Sequence, residues 1–242
     1  MKLRFPLKCL KKKDKHPLLT RNEQFFSGFD LSQPVESYDF VVFDTELTGL
    51  NPGSDEIVSI AGLRIRDLQI VVNDCFYSYV RPKIEKHTTA TFLHRITPEE
   101  LKNSPSPGLA LEAFIDFCGN SVLVGHHVYI DMSFLCKAMT KTMKGVIKNP
   151  VIDSMQLAMC YRNNRKVAPG YQDILDARSD HAYSLAALSK EYRLPIFPQH
   201  DALQDALQTA YLFIFLVTNL LGDKMETLEQ FYRAGFPPRF WL

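Results

Sequence analysis

Phe40-Val41-Val42-Phe43-Asp44-Thr45-Glu46-Leu47-Thr48-Gly49 is the stretch from which the rest of the chain can be placed. It opens as an unbroken run of β-branched and aromatic residues, the pattern of a buried strand, and closes in two carboxylates one residue apart. Strand side chains repeat every second position, so Asp44 and Glu46 leave the same face side by side. Thr48-Gly49 breaks the strand. Two like charges at the tip of an apolar strand repel each other and lose hydration, a cost that a cation between them offsets. One reading is a divalent metal bound at a strand end. The other is a strand that runs out into solvent with acids at its tip.

Strands are expected at about 39–45, 57–66 and 69–79. The second, Ile57-Val-Ser-Ile-Ala-Gly-Leu-Arg-Ile, meets the third through a tight connection at Asp67. Links this short make antiparallel hairpins, because a parallel link needs a long crossover. After Pro82 the pattern becomes irregular. Thr97-Pro98-Glu99-Glu100 has the form of a helix start, with a capping Thr, Pro at the first position and acids in the first turn. A helix over about 108–118 carries Leu111, Phe114, Ile115 and Cys118 at helical spacing. Ser121–Gly125 reads as a fourth strand leading through His126-His127 into a helix with Asp131 in its first turn. Val151-Ile152-Asp153 is a fifth strand, followed by a helix over 154–161 and a polar loop over 162–180. Helices are expected at Tyr183–Tyr192, Ala202–Leu221 and Met225–Ala234. Three antiparallel strands followed by strands alternating with helices make an α/β fold, a mixed five-stranded sheet with helices on both faces. Sites in such sheets gather at strand ends and the adjoining helix starts. The division expected is a basic N-terminal extension over 1–37, a main domain over 38–222, and a C-terminal helix and aromatic tail over 223–242 packed on that domain.

With 242 residues, 46% of them hydrophobic, the chain can bury a large core in one domain. The net charge of +1 does not announce a nucleic-acid binder, but the charge is unevenly spread. Met1 to Glu36 holds eight Lys/Arg against four Asp/Glu, including Lys11-Lys12-Lys13, which leaves the remainder slightly acidic. The basic arm reads either as a solvated tail or as a contact for phosphates or a partner. Five scattered cysteines without CxxC spacing argue against a disulfide framework or a zinc site and fit a reducing, cytoplasmic compartment. The longest apolar run, Ala210–Leu221, is too short to span a bilayer, so no membrane contact is expected.

Asp131 and Asp205 each lie in the first turn of an expected helix, where acids are commonplace because of the helix dipole. What singles them out is coincidence. Asp44, Glu46, Asp131 and Asp205 all fall where an element begins or ends, and His200 precedes the long helix.

Asp44-Thr-Glu46-Leu-Thr-Gly49 resembles the first motif (DxE) of the DEDDh 3′–5′ exonucleases, the family of the proofreading epsilon subunit, within the ribonuclease H-like fold. Gly125-His-His-Val-Tyr-Ile-Asp131-Met-Ser-Phe-Leu135 is similar to the second motif, and His200-Asp-Ala202-Leu-Gln-Asp205 matches the third, HxAxxD. Ile96-Thr97 and Ile152-Asp153 with Leu157-Ala158 are weaker matches between them. Together these cover roughly residues 38–221 in family order. The tyrosine subtype would need Tyr at position 201, which is Asp here. His127 stands where the family commonly has Asn, and Leu47 where Thr is frequent.

The resemblance implies a two-metal phosphodiesterase using Mg²⁺ or Mn²⁺, which suit hard oxygen ligands. Two cations about 4 Å apart would hold the attacking water and the leaving 3′ oxygen in line. By analogy Asp44 bridges both metals, Glu46 and Asp205 complete the inner site, Asp131 holds the second metal, and His200 takes the proton from water. The substrate would be a single-stranded nucleic-acid 3′ end, contacted by Thr45, Leu47, Thr48, Phe134 and His200. Phe134 also fits core packing of its helix. Arg162, Arg165, Lys166 and Arg178 read either as phosphate contacts or as a solvated loop. The implied activity is 3′–5′ exonuclease action on DNA in proofreading or repair. The alternatives are an exoribonuclease trimming RNA 3′ ends or short oligoribonucleotides, a proofreading subunit that needs a DNA polymerase partner, and a binding module without turnover. Docking points for a partner would be the basic arm and Phe236–Leu242.

Overall fold

The computed structural model describes residues 14–83, 94–164, 173, 181–221 and 225–236. Its centre is a five-stranded sheet in the order β3-β2-β1-β4-β5, made of β1 (Phe40–Leu47), β2 (Ile57–Arg66), β3 (Gln69–Tyr79), β4 (Val122–Gly125) and β5 (Val151–Asp153). β1, β2 and β3 pair antiparallel, and β4 and β5 add in parallel on the other side of β1. The tight β2–β3 connection places Asp67 and Leu68 at positive φ, as a two-residue hairpin turn requires. The mixed sheet expected from the strand pattern is therefore the one present, with fourth-strand pairing starting at Val122.

Both faces of the sheet are covered. Phe40 and Val42 point to one side, into a core with Phe213, Leu216 and Leu220 of the long helix α7 (Ala202–Leu220). Val41 and Phe43 point to the other, against α3 (Pro107–Cys118) and α4 (Tyr129–Met143), with Phe114 and Leu135. Ring contacts mark the two sides, Phe40–Phe213 at 5.0 Å and Phe43–Phe114 at 5.6 Å between centroids. The expected Thr97 start is present as α2 (Pro98–Lys102), closed by a reciprocal Thr97–Glu100 capping box. α5 (Ser154–Arg162) and α6 (Leu185–Glu191) follow the fifth strand.

The boundary expected at residue 37 needs correction. Residues 16–37 belong to the fold. Helix α1 (Pro17–Phe26) buries Leu19 completely in the core of the α3/α4 side. Its Asn22 donates to Asn149 Oδ1 (2.6 Å) and accepts from the Lys148 N–H (2.7 Å), inside the turn that precedes β5. Val35 is also wholly buried, on the opposite side of the sheet. Leu18, Leu19, Phe25 and Phe26 recur at helical spacing, so the sequence offers a short helix that could pack back onto the domain, but not which core it enters. The segment before α8 (Leu228–Ala234) runs beside residues 31–35: Val35 N–H donates to Glu226 O (3.0 Å), and Leu228 N–H to Gln33 O (3.1 Å). Asp153 N–H then donates to Gly235 O (2.7 Å), fastening α8 to the end of β5. The lysine run Lys11–Lys13 and the tail from Pro237 to Leu242 lie outside the described residues.

Leu19→Ala should cost about 2–5 kcal/mol, the range for truncating a fully buried leucine. Urea unfolding measures it; an unchanged midpoint would return α1 to the status of a loose extension.

Candidate active site

The alternation of β1 builds the site. Phe40, Val42, Asp44 and Glu46 share the face that packs on α7, and Asp205 sits in the first turn of that helix. The helix thus delivers its acid over the two strand carboxylates. Ligand oxygens of Asp44, Glu46 and Asp205 all lie within 4.8 Å of one another. Asp131 arrives from the opposite face. β4 pairs with β1 only as far as Val42, so the β1 edge beyond that point lacks a strand partner on this side. Asp131, in the first turn of α4, fills the gap: its Oδ1 accepts from the Thr45 N–H (3.0 Å) and hydroxyl (2.5 Å). Gly125 lets the chain turn there, since a Cβ would meet Val128 Cγ2 at 2.5 Å.

His200 is exposed and has φ of +65°, a backbone shape in which histidine is one of the commoner non-glycine residues. Its N–H donates to Asp205 Oδ2 (2.9 Å). Asp201 faces away from this role: its Oδ1 caps α7 by accepting from Leu203 and Gln204 N–H. The four acids, His200 and Leu47 line one open cleft of about 670 Å³.

Crowding the acids perturbs them all. Burial, then Asp131, Asp205 and Glu46, pushes Asp44 well above the usual carboxylate range. Burial followed by Asp205 and Asp131 raises Glu46 to about 8. Burial raises Asp131 to about 7, although its bonds from Thr45 pull the other way. Asp205 is raised by burial, with the His200 N–H opposing. No lysine or arginine is among the described residues lining the cleft. A cluster of oxygen donors this close, without a basic side chain to neutralise it, fits a hard divalent cation.

The other expected contacts fare differently. Thr45 is buried with its hydroxyl committed to Asp131. Leu47 lines the cleft. The Thr48 hydroxyl accepts from Glu56 N–H (3.0 Å) and closes the loop after β1. Phe134 is a correction: it is 2% exposed, packed in the core on the α3/α4 face, and does not line the acid cleft. Its helical position points inward while Asp131, almost one turn earlier, points to the strand end. Arg162 is a second correction. It pairs with Glu191, donates to Ala182 O (3.0 Å) and stacks over Tyr183 at 4.5 Å, so it braces α5 against α6. Arg165, Lys166 and Arg178 lie outside the described residues. His127 adopts φ of +51° and donates its N–H to Asp153 Oδ1 (3.1 Å); Asn and His share the tolerance for this backbone shape.

Three further residues line the cleft, one of them, His126, in the stretch that resembles the second motif. Leu50 is 76% exposed at the cleft wall. His126 is held by Ser154 Oγ (2.9 Å) and Tyr183 O (3.0 Å), and burial lowers it to about 3, so it stays neutral. His94 comes from the segment before α2. A lone histidine in an irregular stretch has no periodicity to mark it.

Known proteins resemble this chain in sequence and fold. DNA polymerase III PolC-type of Latilactobacillus sakei subsp. sakei (strain 23K) is 32% identical over 216 residues, covering 85% of this chain. The chain spans only 14% of that relative's length. The structure "Exonuclease X in complex with 5′ overhanging duplex DNA" superposes with a TM-score of 0.58 at 23% identity, covering 81% of this chain and 99% of that one. The structure "3′-end specific recognition of histone mRNA stem-loop by 3′-exonuclease" gives 0.58 at 17% identity, covering 83% and 70%. These two likenesses show the fold, the ribonuclease H-like sheet. Residues 41–213, from the first strand to the middle of α7, match the family model described as Exonuclease (RNase_T), and the chain belongs to that exonuclease family.

Proposed function

We propose that this chain is a 3′–5′ exonuclease acting on DNA, with two divalent cations, Mg²⁺ or Mn²⁺, held by Asp44, Glu46, Asp205 and Asp131. The observation that carries it is the convergence of three acids within 4.8 Å at the mouth of a cleft that His200 also lines. Bound cations would supply Lewis-acid stabilisation of charge on the phosphate and its leaving oxygen. The protein's own part is to place and move groups. Asp44 and Glu46 are fixed by their strand, and Asp205 by α7. Thr45 orients Asp131 through two hydrogen bonds to one oxygen. His200, on its exposed turn, accepts a proton at a ring nitrogen from the attacking water. Imidazole is the side chain most often used as a general base. The water oxygen bonds to phosphorus and the bond to the 3′ oxygen breaks. The 3′ oxygen takes a proton from solvent water, a nucleoside 5′-monophosphate leaves, and the shortened chain ends in a 3′ hydroxyl. Leu47 and exposed Leu50 offer apolar walls for the terminal base, a contact indifferent to sequence.

Proofreading or repair is the setting we infer, with a DNA polymerase as partner. The support is that the PolC-type relative carries the matching region within a far longer protein. The cytoplasm is the compartment we infer, in keeping with five scattered cysteines that lack CxxC spacing. Among the described residues no helix is long and apolar enough to cross a membrane. A second reading, trimming of RNA 3′ ends, is favoured by the fold shared with the 3′-exonuclease of the histone mRNA stem-loop structure.

Product ladders from 3′- and 5′-labelled single-stranded DNA and RNA of one sequence test both readings. Stepwise shortening of the 5′-labelled DNA, with mononucleotide released at once from the 3′ label, is expected. Faster digestion of RNA would install the second reading, and no digestion with either cation would sink both. His200→Ala should keep the fold and cation binding while the rate falls by about 10²–10⁴; undiminished turnover removes His200 from the mechanism. Asp44→Ala should abolish hydrolysis and cation binding together, and a cation titration matching the parent protein would remove it from the site. The raised carboxylates also set a pH dependence. Groups that bind protons more tightly folded than unfolded destabilise the protein as pH rises from the ordinary carboxylate range to about 8, the Glu46 value. In EDTA the melting temperature should therefore fall across that window, and Mg²⁺ should flatten the fall; identical profiles with and without Mg²⁺ would show that no cation relieves the repulsion.

A further inference from the structure

Two hollows meet at His94. One is the acid cleft. The other, of about 530 Å³, lies beside it and is walled by Tyr77, Tyr79 and Gln204. Glu46, His94 and His200 line both, so they form the ridge between them. His94 is only 8% exposed, and its ring is tied down at one nitrogen: Nδ1 accepts from Ile96 N–H (3.0 Å). A nitrogen that accepts carries no proton, so the proton of the neutral ring is on Nε2. That Nε2 is buried and has no hydrogen-bond partner among the described residues. Buried donors are normally satisfied, and an exception calls for a ligand or a role. Burial, and then the nearness of His200, favour the neutral ring.

We propose that His94 is a substrate-binding residue. Its Nε2–H donates to a non-bridging oxygen of the phosphodiester one linkage inside the scissile one, where the nucleic-acid chain crosses the ridge into the tyrosine-walled hollow. The assignment rests on the exonuclease reading. With the scissile linkage over Asp44, Glu46 and Asp205 and the terminal nucleotide in the acid cleft, the remaining chain leaves across the ridge. A phosphate oxygen is the acceptor that every nucleotide presents there whatever its base, and such contacts fix register without reading sequence. An uncharged donor satisfies it without competing for the acids. Tyr77 and Tyr79 stand edge to face with centroids 5.3 Å apart, and Tyr77 is 41% exposed, so an aromatic surface is available to the adjoining base.

The discriminating substrates are a single-stranded oligodeoxynucleotide, which has the inner linkage, and the p-nitrophenyl ester of thymidine 5′-monophosphate, which has only the bond to be cut. For His94→Leu, the KM for the oligonucleotide should rise about 10- to 100-fold, the weight of one hydrogen bond to a charged acceptor. Its hydrolysis of the p-nitrophenyl ester should match the parent protein. His94→Gln, which keeps an N–H donor, should recover part of the oligonucleotide affinity. Equal losses on both substrates would overturn the assignment in favour of a structural role or a contact to the scissile group. No loss on either would overturn it outright. If the parent protein cleaves neither substrate with Mg²⁺ or Mn²⁺, the exonuclease reading fails and takes the assignment with it; where the parent cleaves both, any difference between the substrates in the variant bears on His94 alone.

Discussion

Four carboxylates share one poorly hydrated corner, and the rest of the architecture is arranged to keep them there. Each would gain by moving apart into water. They stay because none sits on a side chain free to leave. Asp44 and Glu46 belong to a central strand paired on both sides along its first half. Asp205 is one turn into a nineteen-residue helix whose inner face is buried against that strand. Asp131 is gripped by two donors from Thr45. Folding energy collected over two extensive cores is large enough to hold a locally unfavourable charge cluster, and a cluster held ready in this way loses little on capturing a cation.

The segment leading to His200 shows how far that rigidity extends. Phe197 N–H donates to Gln208 Oε1 (3.1 Å), while Gln208 Nε2 donates to Ser189 Oγ (3.0 Å). Gln208 is completely buried. One amide therefore ties α6, the connecting segment and α7 together just before the chain enters the positive-φ turn at His200. The histidine itself stays exposed, as a group that must exchange protons with solvent requires, but its backbone is fixed from both sides.

Much of the fold could be read from residue patterns because those patterns report local geometry. Period-two alternation placed Asp44 and Glu46 on one face, short links made β1 to β3 antiparallel, and Thr97 with Glu100 announced a helix start that the capping box completes. The reading faltered where burial depends on distant partners. Leu19 and Val35 lie in a basic, irregular stretch, yet both are wholly buried because the sheet and the C-terminal helix leave room for them. Phe134 read either as a wedge for a base or as core packing of its helix, and three residues along the helix from Asp131 it points into the core. Arg162 read either as a phosphate contact or as part of a solvated loop, and is neither, because Glu191 and Tyr183, farther along the chain, are brought to it.

The order of amino acids was enough to mark which acids and which histidine to watch, the antiparallel-then-parallel sheet, and the family whose motifs they spell. The sheet follows from side-chain periodicity and link length, the acids and histidine from where they fall along the chain, and the family from the motifs they resemble. It took the packed molecule to bring Asp44, Glu46 and Asp205 within 4.8 Å, to set Asp131 on the edge left open by β4, and to leave His94 with a donor unpaired among the described residues on a ridge between two hollows. Such facts depend on the packing of α7 and α4 across opposite faces of one strand, a relation between segments more than 80 residues apart that no local window contains.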